Sequence, residues 1–586
     1  MQQRGLRFLL PYMRPYRQQL LIGSLYALGG ASAAAYGPAL LGQAIDALTR
    51  GVAAGAMLWY ALGIVALACM LAVFRYLLRM LTGDIAAGVS YQMTSDLFAR
   101  MLLFDRQTIA DYGVGELLSR GTNDFIYIWR FYSAGFQMSM HALLLLTIGC
   151  TLMALVSPLL AAMVIVMLVL SIGAQLAFGR VVERSFDRVQ QRLATVSSFA
   201  QEHLSAQRML AAYAQETPTT VAFRRANDEL ARENLAFVVK SGAISPLPSL
   251  VVRISAALVI GIGGAMIVNG DLTLGEYVQF IIYLGLLSGA ASSLSMAFER
   301  LQQGSAAAGR IGDVLRRVPR IADAPGAVAI SARGHLRFEG VSVYSADRQA
   351  LHDVTIDVPA ATTLGIVGAT GSGKSTLLAL ATRVIEPQRG RVLLDGQDLR
   401  TVTLASLRRA VAAVPQETLL FSVPLRENIA LGLGEIDDAR VMDAARAARL
   451  TNDLEQLPHG LDTTVGERGT TLSGGQKQRT AIARALVRDP RVLLLDDSLS
   501  SVDAATAAEI LAELRDARTG RTCLIVSQRI AAVRDADCIV VLDAGRVVEQ
   551  GTHRELLARD GIYATMYRRE VREAEISETS PAAVRP

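Results

Sequence analysis

Lysine is scarce in this chain: of 58 Lys and Arg residues, only Lys240, Lys374 and Lys477 are lysines. Charge is scarce too, at 19% of residues against 52% hydrophobic. With a mean hydropathy of +0.34, this excludes an ordinary soluble protein and points to a membrane part joined to a soluble part. The four cysteines, Cys69, Cys150, Cys523 and Cys538, stand in no CxxC or zinc spacing, so buried free thiols are expected. No basic patch interleaved with aromatics occurs and the net charge is +5, so nucleic acid is not an expected partner. No cleavable signal peptide is visible. The stretch Arg4-Gly5-Leu6-Arg7-Phe8-Leu9-Leu10 is amphipathic and reads as a helix on the membrane surface.

What is present is length and long apolar runs. Stretches able to cross a bilayer, which takes about 20 residues, lie near 19–45, 57–80, 133–156, 159–179, 242–268 and 275–297. Tight turns at Ser157-Pro158 and Asn269-Gly270-Asp271 alternate with long polar segments at 81–132 and 180–241. Those segments have helical periodicity and read as cytoplasmic extensions of the membrane helices. Arg4, Arg7, Arg14, Arg17, Arg75, Arg79, Arg180, Arg184, Arg188, Arg192 and Lys240 flank one side, while the short loops carry only Arg50. By the positive-inside rule both termini and both long segments are cytoplasmic.

After a stretch with Pro319, Pro325 and Gly326, short β-branched runs such as Val392-Leu393-Leu394 alternate with helical ones, an α/β layout. The expected division is a membrane domain over 1–315, a linker over 316–334, an α/β domain over 335–570 and a disordered polar tail over 571–586.

Gly368-Ala369-Thr370-Gly371-Ser372-Gly373-Lys374-Ser375-Thr376 follows an apolar strand and precedes a helical run. This is the P-loop pattern. Backbone N–H groups wrap the phosphates, Lys374 reaches the terminal ones and the Ser375 hydroxyl holds Mg²⁺. Val492-Leu493-Leu494-Leu495-Asp496 is a buried strand ending in a carboxylate suited to organising Mg²⁺, often through water.

Leu472-Ser473-Gly474-Gly475-Gln476, followed by Lys477-Gln478-Arg479, resembles the signature motif of ABC transporters. The resemblance covers residues from about 5 to 570. Gln416 in Val414-Pro415-Gln416-Glu417 looks like the Q-loop, a Mg²⁺ contact. Val465-Gly466-Glu467-Arg468-Gly469 looks like the X-loop of ABC exporters, and Ser500-Ser501-Val502-Asp503 like the D-loop. Gly115-Glu116-Leu117-Leu118-Ser119-Arg120 with Asn123-Asp124 resembles the first coupling segment, and Gly270-Asp271-Leu272-Thr273-Leu274-Gly275 the turn between membrane helices 5 and 6. The resemblance implies a type I/IV exporter fold of six membrane helices plus a P-loop nucleotide-binding domain, with ATP and Mg²⁺ as cofactors. It also implies that each ATP lies between the Walker motifs of one chain and Ser473, Gly474, Gly475 and Gln476 of another. An anion-binding nest at a helix N-terminus can clamp a γ-phosphate that another chain presents.

Three positions depart from the family pattern. Asp497 stands where a catalytic glutamate is usual. Aspartate is one methylene shorter, so its oxygens fall about 1.5 Å short, and a misplacement of that scale can cost on the order of 10²-fold in rate. Gln528 stands where the switch-loop histidine is usual; it can donate a hydrogen bond but cannot become an imidazolium. Tyr344, in Val341-Ser342-Val343-Tyr344-Ser345, is displaced by one from the aromatic that stacks on adenine.

Asp497 and Gln528 together suggest a site that binds ATP and hydrolyses it poorly. The resemblance then implies a half-transporter of a heterodimeric bacterial exporter, of the multidrug and peptide type and related to the antigen-processing peptide transporter. The partners expected are a second half-transporter, the lipid bilayer and an amphipathic small molecule or peptide. The expected location is the inner, cytoplasmic membrane. A lipid flippase and a nucleotide-sensing regulatory subunit are the alternatives. Arg75 and Arg253 are read as snorkelling to headgroups in preference to lining the pathway.

Overall fold

The structure is a computed structural model and describes residues 2–244, 246–345, 348–466, 471–497 and 520–579. The chain divides into two compact units. One comprises Met1–Leu102 and Tyr112–Arg317, the other Leu103–Asp111 and Val318–Pro586.

In the first unit, six helices among the described residues are long and apolar enough to cross a membrane: Arg7–Thr49, Gly55–Met101, Val114–Val156, Pro158–Ser205, Leu250–Val268 and Leu274–Arg316. All but the 19-residue Leu250–Val268 run to 43 residues or more. At about 1.5 Å per residue such a helix exceeds 60 Å, twice the roughly 30 Å hydrocarbon core. The polar segments are therefore the same helices continued into water. Two of the extensions are laced by Arg192–Glu229 at 2.9 Å and Arg188–Glu233 at 3.6 Å. Phe186 packs on Phe237, and Phe199 on Phe223.

The last membrane helix starts on a capping box. Thr273 Oγ1 accepts from Glu276 N, and the Glu276 carboxylate accepts from Thr273 N. Two helix N–H groups that would otherwise lack partners are thereby satisfied. The N-terminal helix Gln2–Met13 packs along this last helix. Leu9 is buried there, its carbonyl accepting from Tyr132 Oη at 3.4 Å, and Arg316 lies over the Phe8 ring.

The second unit holds ten described strands: β1 Leu336–Ser345, β2 Arg348–Val358, β3 Thr363–Val367, β4 Arg389–Leu394, β5 Gln397–Asp398, β6 Val411–Val414, β7 Val492–Asp496, β8 Thr522–Val526, β9 Cys538–Asp543 and β10 Arg546–Gly551. One sheet is antiparallel, in the order β2-β1-β4-β5. The other has the order β10-β9-β3-β8-β7-β6, parallel throughout except at the β9–β10 edge. Strands buried on both faces need continuous apolar sequence, which Val492-Leu493-Leu494-Leu495 and Thr522-Cys523-Leu524-Ile525-Val526 supply. Leu493 and Leu495 enter the apolar cluster on one face, Val492 and Leu494 that on the other.

The α-helical membrane domain and the α/β P-loop domain expected from the sequence are both present. The last helix, Ile562–Thr579, continues past position 571, where the tail was expected to begin. Residues 580–586 lie outside the described residues.

Candidate functional site

Parallel order decides what meets at the sheet's carboxyl edge. In such sheets ligands bind beyond the carboxyl ends of the strands. Here β3, β8, β7 and β6 are consecutive neighbours. The P-loop follows β3, Gln528 follows β8, Asp496 and Asp497 close β7, and Gln416 follows β6.

The P-loop feeds the helix Lys374–Ala381. Gly368 has a φ of 151°, and a Cβ there would fall 2.1 Å from Leu542 O, so no side chain fits against β9. Lys374 is buried. Its Nζ donates to Gly368 O and Ala369 O at 2.8 Å each and approaches Ser372 Oγ at 3.4 Å. Burial pulls its pKa below the usual lysine value, while Asp497 and Asp496 pull it back up. Thr370, Gly371 and Ser375 are exposed and Thr376 half-buried.

Ser375 Oγ donates to Asp496 Oδ1 at 3.0 Å. Burial raises the Asp496 carboxyl above the usual carboxylate range, with Asp497 adding to the rise and Ser375 and Lys374 opposing it. A half-buried carboxylate beside a hydroxyl is an oxygen donor pair that fits Mg²⁺. Among the described residues no group of three or more His, Cys, Asp or Glu converges as a metal site, and Mg²⁺ held with substrate phosphates needs no such cage.

Asp497 has a φ of 42°, a left-handed conformation in which aspartate is among the tolerated residues. Its N–H donates to Val526 O at 2.9 Å. The Gln416 amide lies 3.5 Å from its Oδ2, so the Q-loop glutamine and this carboxylate do come together. Gln528 is exposed, in the bend after β8. Tyr344 is 45% exposed near the end of β1, with its backbone held by the Gln388 amide.

The signature residues form a separate group. Ser473 caps the helix Gly474–Leu486. Its Oγ accepts from Gln476 N, and Gln476 Oε1 accepts from Ser473 N. Gln476 Nε2 reaches Asp453 Oδ1 at 3.5 Å, and Arg479 forks onto the same carboxylate at 2.7 and 2.8 Å. Ser473 Oγ uses an oxygen lone pair to accept from Gln476 N, which leaves its hydroxyl proton to donate. Ser473 and Gly474 are exposed. Among the described residues no hydrogen bond or ion pair joins Ser473, Gly474, Gly475 or Gln476 to the P-loop.

Sequence reasoning missed the supports. Asp453 carries no motif and lies far upstream of Arg479. Arg484 donates to Asn428 O, Asn428 Oδ1 and Leu419 O, tying the signature helix to the segment after Gln416. An arginine set among the apolar residues of the helix's second half, Ala481-Ile482-Ala483-Arg484-Ala485-Leu486, was the one signal available. The X-loop residues Glu467, Arg468 and Gly469 and the D-loop Ser500-Ser501-Val502-Asp503 lie outside the described residues.

Residues 351–500 match the ABC transporter family model, and residues 20–291 match that of the ABC transporter transmembrane region. The probable multidrug resistance ABC transporter ATP-binding/permease protein YheI of Bacillus subtilis is 32% identical over 539 residues, covering 91% of this chain and 92% of that protein. The ATP-dependent lipid A-core flippase of Chromohalobacter salexigens is 31% identical over 579 residues, 97% of this chain and 98% of that protein. A solved bacterial Atm1-family ABC exporter with ATP bound superposes with a TM-score of 0.84 at 28% identity, covering 97% of this chain and 99% of that one.

These likenesses overturn one expectation. The chain does not resemble a heterodimeric half-transporter related to the antigen-processing peptide transporter; it resembles an Atm1-family exporter from end to end. The heterodimer reading rested on Asp497 and Gln528. Two side chains at one site govern a rate there and say little about which chain stands opposite, whereas fold and family are set by packing along the whole chain. The protein is a multi-pass membrane ATPase with its nucleotide-binding unit on the cytoplasmic side, and the chain belongs to the ABC transporter family.

Proposed function

We propose that two copies of this chain form an exporter that moves amphipathic small molecules or peptides out through the cytoplasmic membrane. Each copy holds Mg²⁺ and ATP on Lys374, Ser375, Gln416 and Asp496, with Tyr344 beside adenine. Each gives Ser473, Gly474, Gly475 and Gln476 to the ATP of the other. The observation that carries this is the outward-facing capped signature, built for a phosphate and not bonded to the chain's own P-loop. The relative named as a multidrug resistance transporter supports the substrate class.

Hydrolysis at these sites is slow in this reading. Asp497 is the carboxylate nearest Gln416, so it takes the place of the base, with a reach about 1.5 Å shorter than glutamate. Gln528 contacts the γ-phosphate as a neutral donor.

A complementation experiment tests the pairing. Lys374→Ala damages the P-loop of both sites in a two-copy assembly, and Ser473→Ala damages both signatures. Co-assembling the two variants regenerates one site with an intact P-loop and an intact signature. ATP hydrolysis should therefore return in the mixed assembly while both pure variants stay low. No recovery in verified mixed assemblies would overturn the composite site.

The relative named as a lipid A-core flippase favours a second reading, in which the substrate is a lipid. Substrate-stimulated ATPase in proteoliposomes separates the two. Stimulation by soluble amphiphiles at constant lipid composition supports export, and stimulation only by a change of lipid supports flipping.

A further inference from the structure

The C-terminal helix Ile562–Thr579 reaches back to the loop after β8. Glu570 Oε2 accepts from Ile530 N at 2.6 Å, and Oε1 accepts from Ala531 N at 3.2 Å. These N–H groups open the short 3-10 turn Ile530–Ala532, which has no side-chain cap of its own from Arg529. The pairing is backed by packing. Ile530 and Tyr563 are both buried in one apolar cluster, against which Met566 and Tyr567 also pack. Upstream, the buried Ser527 donates its N–H to Ile366 O at 3.2 Å, and its Oγ accepts from Arg529 N at 3.0 Å. Gln528 lies between these two anchors, exposed at the carboxyl edge of the sheet.

We propose that Glu570 is a positioning residue for ATP hydrolysis. Its carboxylate pins the downstream end of the loop, so that the Gln528 amide is presented to the γ-phosphate. The C-terminal helix is thereby a lever on the switch loop: whatever displaces the helix slows turnover. The inference rests on the reading of Gln528 as the switch-loop residue. A carboxylate suits the task because it accepts from two backbone N–H groups at once, and charge-assisted bonds are about twice as strong as neutral ones. With the Glu570 anchor gone, the downstream end of the loop keeps the burial of Ile530 but loses both backbone N–H bonds, and Gln528 spends less time in the productive pose. The P-loop makes none of these contacts, so nucleotide affinity is left alone.

The test is steady-state ATPase kinetics and nucleotide binding on the full-length protein. Glu570→Ala should lower kcat by about 10-fold or more, on the scale of a 1 Å misplacement, with ATP affinity within about twofold. Glu570→Gln keeps one acceptor oxygen and should fall between. Gln528→Ala should lower kcat as well, and Glu570→Ala combined with Gln528→Ala should be no slower than the slower single variant, because both act through one contact. Glu570→Ala with unchanged kcat beside a slow Gln528→Ala overturns the inference, and so do losses that add in full. Gln528→Ala with unchanged kcat instead overturns the reading of Gln528 on which it rests. If Glu570→Ala does not fold, the Glu570→Gln split between kcat and affinity decides.

Discussion

Arg310 grips Asp124 through both carboxylate oxygens, its Nε donating to Oδ2 at 3.0 Å and its Nη2 to Oδ1. The Asp124 side chain is 8% exposed and that of Arg310 47%. Arg120 Nη1 adds a bond to Arg310 O at 3.0 Å. Asp124 follows the point where the chain re-enters the first unit at Tyr112, and Arg310 precedes the point where it leaves at Arg317. The pair ties these two stretches of the first unit to each other. Removing the guanidinium strands a buried carboxylate. Arg310→Ala should cost about 1–3 kcal/mol, below the fully buried range because the guanidinium is half exposed. A thermal-shift assay in detergent checks this, and exchanging the two charges should recover part of the loss.

At the other end of the same helix, Asp46 accepts from Thr273 Oγ1 and from Gly275 N, each at 2.7 Å. A Cβ at Gly275 would fall 2.1 Å from Gly42 O and 2.6 Å from the Asp46 carboxylate. Backbone atoms cannot yield by that much. Gly275→Ala should therefore push apart the outer ends of the first and last membrane helices and destabilise the protein by about 1–3 kcal/mol. A melting temperature equal to wild type would show that the approach is looser than described.

Asp496 has a stability cost built into it. Its folded carboxyl pKa is raised above the ordinary 3.8 by burial first. Between the two values the folded state keeps a proton that the unfolded state has lost, so stability falls as pH rises through this window and the penalty is full above it. Asp496→Asn should raise the melting temperature of the nucleotide-free protein at neutral pH. The difference should shrink as the pH drops below the window. The same variant should lose the Mg²⁺-dependent part of its stabilisation by ATP, because the metal-side oxygen is gone. A lower melting temperature without nucleotide would mean that the hydrogen bond from Ser375 outweighs burial.

For the rate, Asp497→Glu restores the missing methylene. Turnover should rise by up to about 10-fold, whereas Asp497→Asn should reduce it by on the order of 10²-fold, the scale of a positioned base. Single-turnover hydrolysis under saturating ATP is the measurement. A slower Asp497→Glu would show that the left-handed backbone at this residue already brings the shorter side chain into place.

The P-loop was legible because its pattern is local in sequence. A strand, a glycine-bearing loop and the first turn of a helix make one continuous stretch, from Thr363 through Ala381. The membrane helices were legible because a bilayer demands apolar length and bare outer loops. Their cytoplasmic extensions followed from helical periodicity in Arg- and Glu-bearing segments.

The supports were settled only in three dimensions. Asp453 and Arg479, Asn428 and Arg484, Glu570 and Ile530, and Asp124 and Arg310 are far apart in sequence, and no periodicity links them. A carboxylate that holds a backbone N–H leaves no pattern in its own neighbourhood, because its partner is chosen by strand order and helix packing. The sheet order β3-β8-β7-β6 likewise decided that Gln416 meets Asp497. By itself the sequence determined the membrane spans, the topology and the phosphate loop, all of them set by short-range pattern against a fixed solvent. Tertiary structure decided which distant side chains hold those parts in place, because burial and long-range hydrogen bonding exist only once the chain has packed.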